Sequence, residues 1–175
     1  MEIFLIRHTT PAVDKGFIYG RTDVPLADSF DAEKELVRTK LPEHIDLVFS
    51  SPSSRCTLLA HQIKDSFESD EHLMELDFGL WEGKTWETID RSESERWMED
   101  FVNNCPPGGE TLNEMNNRVM SFWEELMLRP CHRVVVITHG GVIRLLLAAV
   151  NASPLKSIFD INVNYGEVVS LNAAK

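Results

Sequence analysis

The apolar positions of this chain fall in short dense blocks separated by stretches of helical spacing. Ile3-Phe4-Leu5-Ile6 gives residues 2–7 the look of a buried strand. Residues 46–50 (Asp-Leu-Val-Phe-Ser) predict a second, and residues 133–138 (Arg-Val-Val-Val-Ile-Thr) predict the clearest, with β-branched side chains almost throughout. Helices are expected over residues 32–41, with Asp31 at the start and Pro42 after the end, over 53–67 and over 85–102. Pro106-Pro107-Gly108-Gly109 interrupts the chain. Beyond it Leu112, Met115, Val119, Phe122 and Leu126 recur at helical intervals, and residues 142–150 form an apolar helix. Short strands around Asn164-Tyr165-Gly166 are expected within residues 158–171. Buried strands alternating with helices favour an α/β fold, here a three-layer α/β/α sandwich with a mostly parallel central sheet.

In such sheets ligands bind beyond the carboxyl ends of the strands. The polar residues at those ends therefore matter most. The first strand runs into Arg7-His8-Thr9-Thr10, the second into Ser51-Pro52-Ser53-Ser54-Arg55, and the strongest into His139-Gly140-Gly141. If these strands are parallel neighbours, two arginines and two histidines meet at one edge.

Composition narrows the reading. A chain of 175 residues is expected to form one domain, spanning 1–175. At this size roughly 70% of the unfolded surface is buried, so no covalent staple is needed. Net charge is −11, from 17 basic and 28 acidic residues. That balance argues against nucleic-acid and membrane partners, and it requires a site for an anion to be positive locally. Cys56, Cys105 and Cys131 are odd in number and lack ligand spacing, so neither a disulfide framework nor a structural metal site is expected. The short apolar start is unlike a signal peptide, and the chain reads as cytoplasmic. Oligomeric state is not legible.

The chemistry that suits the strand-end residues is phosphoryl transfer. A neutral imidazole, with an ordinary pKa near ~6.5, is a competent nucleophile toward phosphorus and can form a phosphohistidine. Arg7 and Arg55 offer planar forks for phosphoryl oxygens. His139, kept protonated among the phosphate charges, adds a third positive donor, and the N–H groups of Gly140-Gly141 open a helix that is suited to an anion. The leaving oxygen needs a proton from a carboxylic acid. The candidate segment is residues 74–83, where Glu75, Asp77 and Glu82 remain alternatives. No metal or other cofactor is expected, because no carboxylate and histidine cluster has ligand spacing.

In these motifs the chain resembles the histidine phosphatase superfamily, the phosphoglycerate mutase-like fold. Arg7-His8 resembles its Arg-His-Gly signature, which implies His8 as the phosphorylated nucleophile. The SSPSSR segment implies Arg55 in the phosphate pocket, and Thr138-His139-Gly140-Gly141 resembles the second-histidine motif. ELDFGLWEG resembles the acid motif, which implies Glu75 as proton donor. Residues 19–26 and 107–111 are similar to segments of the α-ribazole phosphatases, which implies α-ribazole 5′-phosphate as a small-molecule substrate and a place in cobalamin assembly. The chain departs from the family in two places. Thr9 stands where the family usually has glycine, with Thr9 or Thr10 offering a hydroxyl instead, and Asp14 stands where many relatives have asparagine. The rival functions are a phosphoglycerate mutase, a broad sugar-phosphate phosphatase, and a non-catalytic phosphate-binding module.

Each motif alone has a plainer reading. Arg7-His8 can be a solvent-facing strand end, Arg55 a surface helix residue, and His139 a helix start. What favours a site is that all three lie at strand ends. His44, His61, His72 and His132 read as surface or structurally satisfied histidines. Trp81, Trp86 and Trp97 read first as core or lid, with an aromatic wall for a benzimidazole-like base as the alternative.

Overall fold

The fold follows from three strands buried on both faces. In the computed structural model, which describes residues 1–173, strand β1 (Glu2–Arg7) lies beside β4 (Arg133–Thr138), and β4 lies beside β2 (Leu47–Ser50). All three are parallel. Short β3 (Glu68–Ser69) extends the sheet in parallel beyond β2, and β5 (Val168–Asn172) closes the other edge antiparallel to β1. The order is β3-β2-β4-β1-β5. Alternation along the strands splits the apolar residues between two layers. Ile3, Leu5, Val134 and Val136 face helices α4 (Leu112–Leu128) and α5 (Gly140–Val150). Phe4, Ile6, Val48, Val135 and Ile137 face α1 (Phe30–Arg38) and α2 (Ser54–Ile63), where Val37, Cys56, Leu59 and Ala60 complete the opposite core.

The expected three-layer α/β/α arrangement is present, and β1 and β4 have the predicted bounds. Other boundaries differ for local reasons. Helix α2 stops at Ile63 because Lys64 is extended, and its ammonium reaches the carbonyls of Ile45 and Asp46. The chain is then free to form β3 rather than continuing the helix to residue 67. The helix expected over 85–102 is only α3 (Arg91–Glu99), because Asp90 caps it by accepting from the N–H groups of Ser92 and Glu93. Before that cap, Thr85 and Thr88 form a turn. Helix α4 starts where a reciprocal capping box joins Thr111 and Glu114. The C-terminal segment holds a 3-10 helix (Leu155–Asp160) and one strand, not several short strands. Among the described residues, no helix is long and apolar enough to cross a membrane.

The parallel register is what assembles the site. Arg7 pairs with Thr138, and Ser50 pairs with Ile137, so β1, β2 and β4 all end at one level. The residues that follow each strand therefore open onto the same edge.

Candidate active site

Five of the expected residues, Arg7, His8, Arg55, Glu75 and His139, line one pocket. Its volume is about 140 Å³, and Phe17, Ile18, Tyr19, Phe78 and Trp86 complete the wall. His8 is buried directly after β1, where its own N–H continues the ladder to the Thr138 carbonyl at 3.0 Å. Its Nδ1 lies 2.8 Å from the Thr9 carbonyl. A carbonyl only accepts, so Nδ1 carries the hydrogen and Nε2 keeps its lone pair. Burial, followed by the charge of Arg55, lowers the His8 pKa to about 3, with Arg7 adding a smaller push against the Thr9 hydrogen bond. The imidazole is therefore neutral throughout the ordinary pH range.

His139 stands 5.3 Å from His8, ring centre to ring centre, nearly edge to face. Arg55 Nη2 donates to its Nδ1 at 3.2 Å, which leaves Nε2 as the N–H that donates to Ser51 Oγ at 2.8 Å. His139 is expected to be a protonated donor among phosphate charges, and the protein's own groups pull in the other direction. Burial first, and then His8, Arg55, Arg118 and Arg7, hold its pKa well below the usual histidine value. Both ring nitrogens are already engaged with protein.

The two arginines are oriented in the same manner. Arg55 is fully buried and donates to the carbonyls of Gly20 (2.6 Å) and Thr22 (3.0 Å). Arg7 Nη1 donates to the Val163 carbonyl at 2.7 Å. A tyrosine covers a face of each, with Arg7 Cζ 3.7 Å from the Tyr165 ring centre and Arg55 Cζ 5.3 Å from that of Tyr19. The phenols meet at 2.5 Å, oxygen to oxygen. The buried Nε atoms of both arginines have no hydrogen-bond partner among the described residues. Carbonyl anchors leave the guanidinium charge unneutralised, which makes this a strongly positive spot in an acidic protein.

The three candidate acids separate by position. Glu75 alone of them lines the pocket, and its carboxylate accepts from the N–H of Leu76 (2.9 Å) and of Gly141 (3.0 Å). Asp77 accepts from the N–H of Gly79 at 2.8 Å and faces Arg21. Glu82 accepts from the N–H groups of Arg21 and Thr22. The helix N-terminus does receive an anion, but through Gly141 that anion is the protein's own Glu75.

Gly140 packs at the Arg7 guanidinium, where a β-carbon would stand 3.3 Å from Arg7 Cζ and 3.0 Å from Arg144 Nη1. Thr9 is buried and does not line the pocket. Its hydroxyl has no partner among the described residues, and its carbonyl is the group that engages His8. The N–H of Thr10 is taken by Glu33, and Asp14 lies in a neighbouring surface cavity. Trp81 and Trp97 are core, whereas Trp86 is 43% exposed and contributes to the pocket wall. His44 and His72 sit beside Asp46 and Asp70, and His61 packs on Phe67. Among the described residues, no group of three or more histidines, cysteines or carboxylates is placed to hold a metal ion.

Arg118 and Tyr165 are site residues that the sequence motifs do not single out, whereas Tyr19 and Glu110 lie in the two segments similar to α-ribazole phosphatases. Arg118 Nη1 donates to the carbonyls of His72 and Met74, both at 2.7 Å, and Nη2 to that of Glu75 at 3.1 Å. Its other bonds go to Glu110, which also accepts from the Asp77 N–H. A detectable signal existed, since Arg118 is the single basic residue of α4.

Known proteins share the fold and the family of this chain. The chain is 26% identical to the adenosylcobalamin/alpha-ribazole phosphatase of Salmonella typhimurium, over 95% of this chain and 87% of that protein. It is 29% identical to phosphoserine phosphatase 1 of Hydrogenobacter thermophilus, over 85% of this chain and 75% of that protein. Among solved structures, the Thermus thermophilus protein TTHB049 is 32% identical, with a TM-score of 0.78 over 98% of this chain and 94% of that one. The Shigella flexneri alpha-ribazole phosphatase shares the fold, with a TM-score of 0.91 at 23% identity over 100% of this chain and 92% of that one. The profile of the histidine phosphatase superfamily (branch 1) matches residues 3–175, and the chain belongs to that family of phosphatases.

Proposed function

We propose that this protein is a phosphomonoesterase that works through a phosphohistidine on His8, with α-ribazole 5′-phosphate as its substrate. One observation carries the reaction. A neutral imidazole, its hydrogen committed to the Thr9 carbonyl, shares a pocket with the buried Arg55, the half-buried Arg7 and a carboxyl group.

In this mechanism the Nε2 lone pair of His8 attacks phosphorus while the ester P–O bond breaks. Glu75 gives its proton to the leaving oxygen. Water then attacks the phosphohistidine, Glu75 takes up a proton from it, and the P–N bond breaks to release inorganic phosphate. Arg7 and Arg55 hold the phosphoryl oxygens through both steps, and His139 fixes the direction of Arg55. A bound phosphate dianion adds negative charge beside His139, and this favours the protonated form of its ring.

The substrate class rests on the wall. Phe17, Tyr19, Phe78 and Trp86 offer apolar and aromatic surface where the leaving group emerges. A benzimidazole nucleoside suits that surface. The likeness to a phosphoserine phosphatase favours phosphoserine as a second reading. A substrate panel tests both. Selective turnover of α-ribazole 5′-phosphate over phosphoserine, 3-phosphoglycerate and sugar phosphates is expected, by roughly 100-fold in kcat/KM for a site that buries an aromatic group. A flat profile would overturn the substrate, and tight phosphate binding without any turnover would overturn the enzyme.

A further inference from the structure

Glu82 has a place in the site that its sequence position does not reveal. It lies outside the pocket, yet its carboxylate is saturated by one short loop and the segment beneath. Oε1 accepts from the N–H of Arg21 at 2.7 Å and of Phe78 at 3.3 Å. Oε2 accepts from the N–H of Thr22 at 2.6 Å and from the Thr22 hydroxyl. The opposite side of the same loop presents the carbonyls of Gly20 and Thr22 to the two terminal nitrogens of Arg55, at 2.6 and 3.0 Å. Residues 20–22 are thus gripped on their N–H side by Glu82 and grip Arg55 on their C=O side.

Two further observations give this relay a purpose. Arg55 is fully buried and has no carboxylate partner among the described residues. Its direction depends on the two loop carbonyls and on His139 Nδ1. A carboxylate placed directly on Arg55 would orient it but cancel the charge that a phosphoryl group needs. Placing the carboxylate one peptide layer away orients the fork and leaves its charge unspent. The loop also has no slack. A β-carbon on Gly20 would stand 1.8 Å from the Leu76 carbonyl oxygen and 2.9 Å from Glu82 Oε1, so the loop lies flush against the segment that carries Glu75.

We propose that Glu82 is the positioning residue for Arg55, setting the phosphate-binding fork through the backbone of residues 20–22. This rests on the reading that Arg55 holds the phosphoryl group. The test is a double-mutant cycle with inorganic phosphate as the probe, measured by calorimetry on Glu82→Gln, Arg55→Ala and the double variant. Glu82→Gln keeps the size of the side chain but turns an amide toward donors. Phosphate affinity is expected to fall about tenfold in Glu82→Gln, and not to fall further when Glu82→Gln is added to Arg55→Ala. The KM for substrate should rise with it. If Arg55→Ala leaves phosphate affinity unchanged, the underlying reading fails. If Arg55→Ala weakens phosphate but Glu82→Gln costs the same in both backgrounds, or nothing in either, the positioning role fails. Thr22→Val removes only the hydroxyl donor to Glu82 and carries the same cycle, with a smaller expected loss, should Glu82→Gln not fold.

Discussion

The N–H of Gly141 donates to Glu75 Oε2 at 3.0 Å, and a β-carbon on Gly141 would stand 2.1 Å from Glu75 Oε1. The second glycine after His139 is therefore a docking point for the candidate proton donor. Gly141→Ala should displace the Glu75 carboxyl while leaving both arginines in place. The expected result is a fall in kcat of about 100-fold, the lower range for loss of a positioned acid, with little change in affinity for inorganic phosphate. Steady-state kinetics and phosphate titration together check it.

Arg118 binds the backbone of the Glu75 segment at three carbonyls and pairs with Glu110 at 2.6 Å, both side chains being largely shielded. Lysine cannot span the same set of acceptors. Arg118→Lys should lower stability by about 2 kcal/mol, below the usual cost of breaking a fully buried pair because this one is partly wet. It should also reduce kcat at least tenfold. Denaturant titration and turnover measure the two effects.

Tyr165 covers Arg7 and hydrogen-bonds Tyr19. The ring and the hydroxyl can be separated. Tyr165→Phe keeps the cation–π face and is expected to leave KM within about twofold, whereas Tyr165→Ala removes it and should raise KM by roughly tenfold, corresponding to an interaction of ~1–2 kcal/mol. An equal effect from both variants would assign the role to the phenol pair instead.

Acid should weaken the fold through its two buried imidazoles. Burial lowers the His8 pKa to about 3, and that of His139 in the same direction, whereas in the unfolded chain both return to ~6.5. Below that value the unfolded state binds protons that the native state refuses. Stability from these groups is thus full above pH ~6.5 and falls as pH drops below it, by up to about 1.4 kcal/mol per pH unit for each imidazole, with the His8 part running down toward pH 3. His8→Asn removes one of them, so its melting temperature should fall less steeply than wild type between pH 6.5 and 4.5. Parallel melting curves in that range would contradict the neutral His8.

The strand ends were legible from sequence because they depend on local pattern. Residues 133–138 could only be a buried strand, and a strand that ends in His139-Gly140-Gly141 announces a turn into a helix. The roles of Arg118 and Glu82 were hidden because their partners lie far along the chain. Arg118 meets carbonyls more than 40 residues away, and Glu82 meets Thr22 across 60. The choice among Glu75, Asp77 and Glu82 was open for the same reason, since three carboxylates in eight residues differ only in what the fold brings to them. The start of α3 is hidden in the sequence because an acidic, Trp-containing run looks helical on both sides of the Asp90 cap.

The central claim is that His8 carries the phosphoryl group. Rapid-quench mixing with ³²P-labelled substrate, followed by peptide mapping, tests it most directly. The account predicts acid-labile, base-stable label on the peptide containing His8, formed before the bulk of phosphate is released and absent in His8→Ala together with turnover. Full turnover by His8→Ala, or label that maps to another residue, would contradict it.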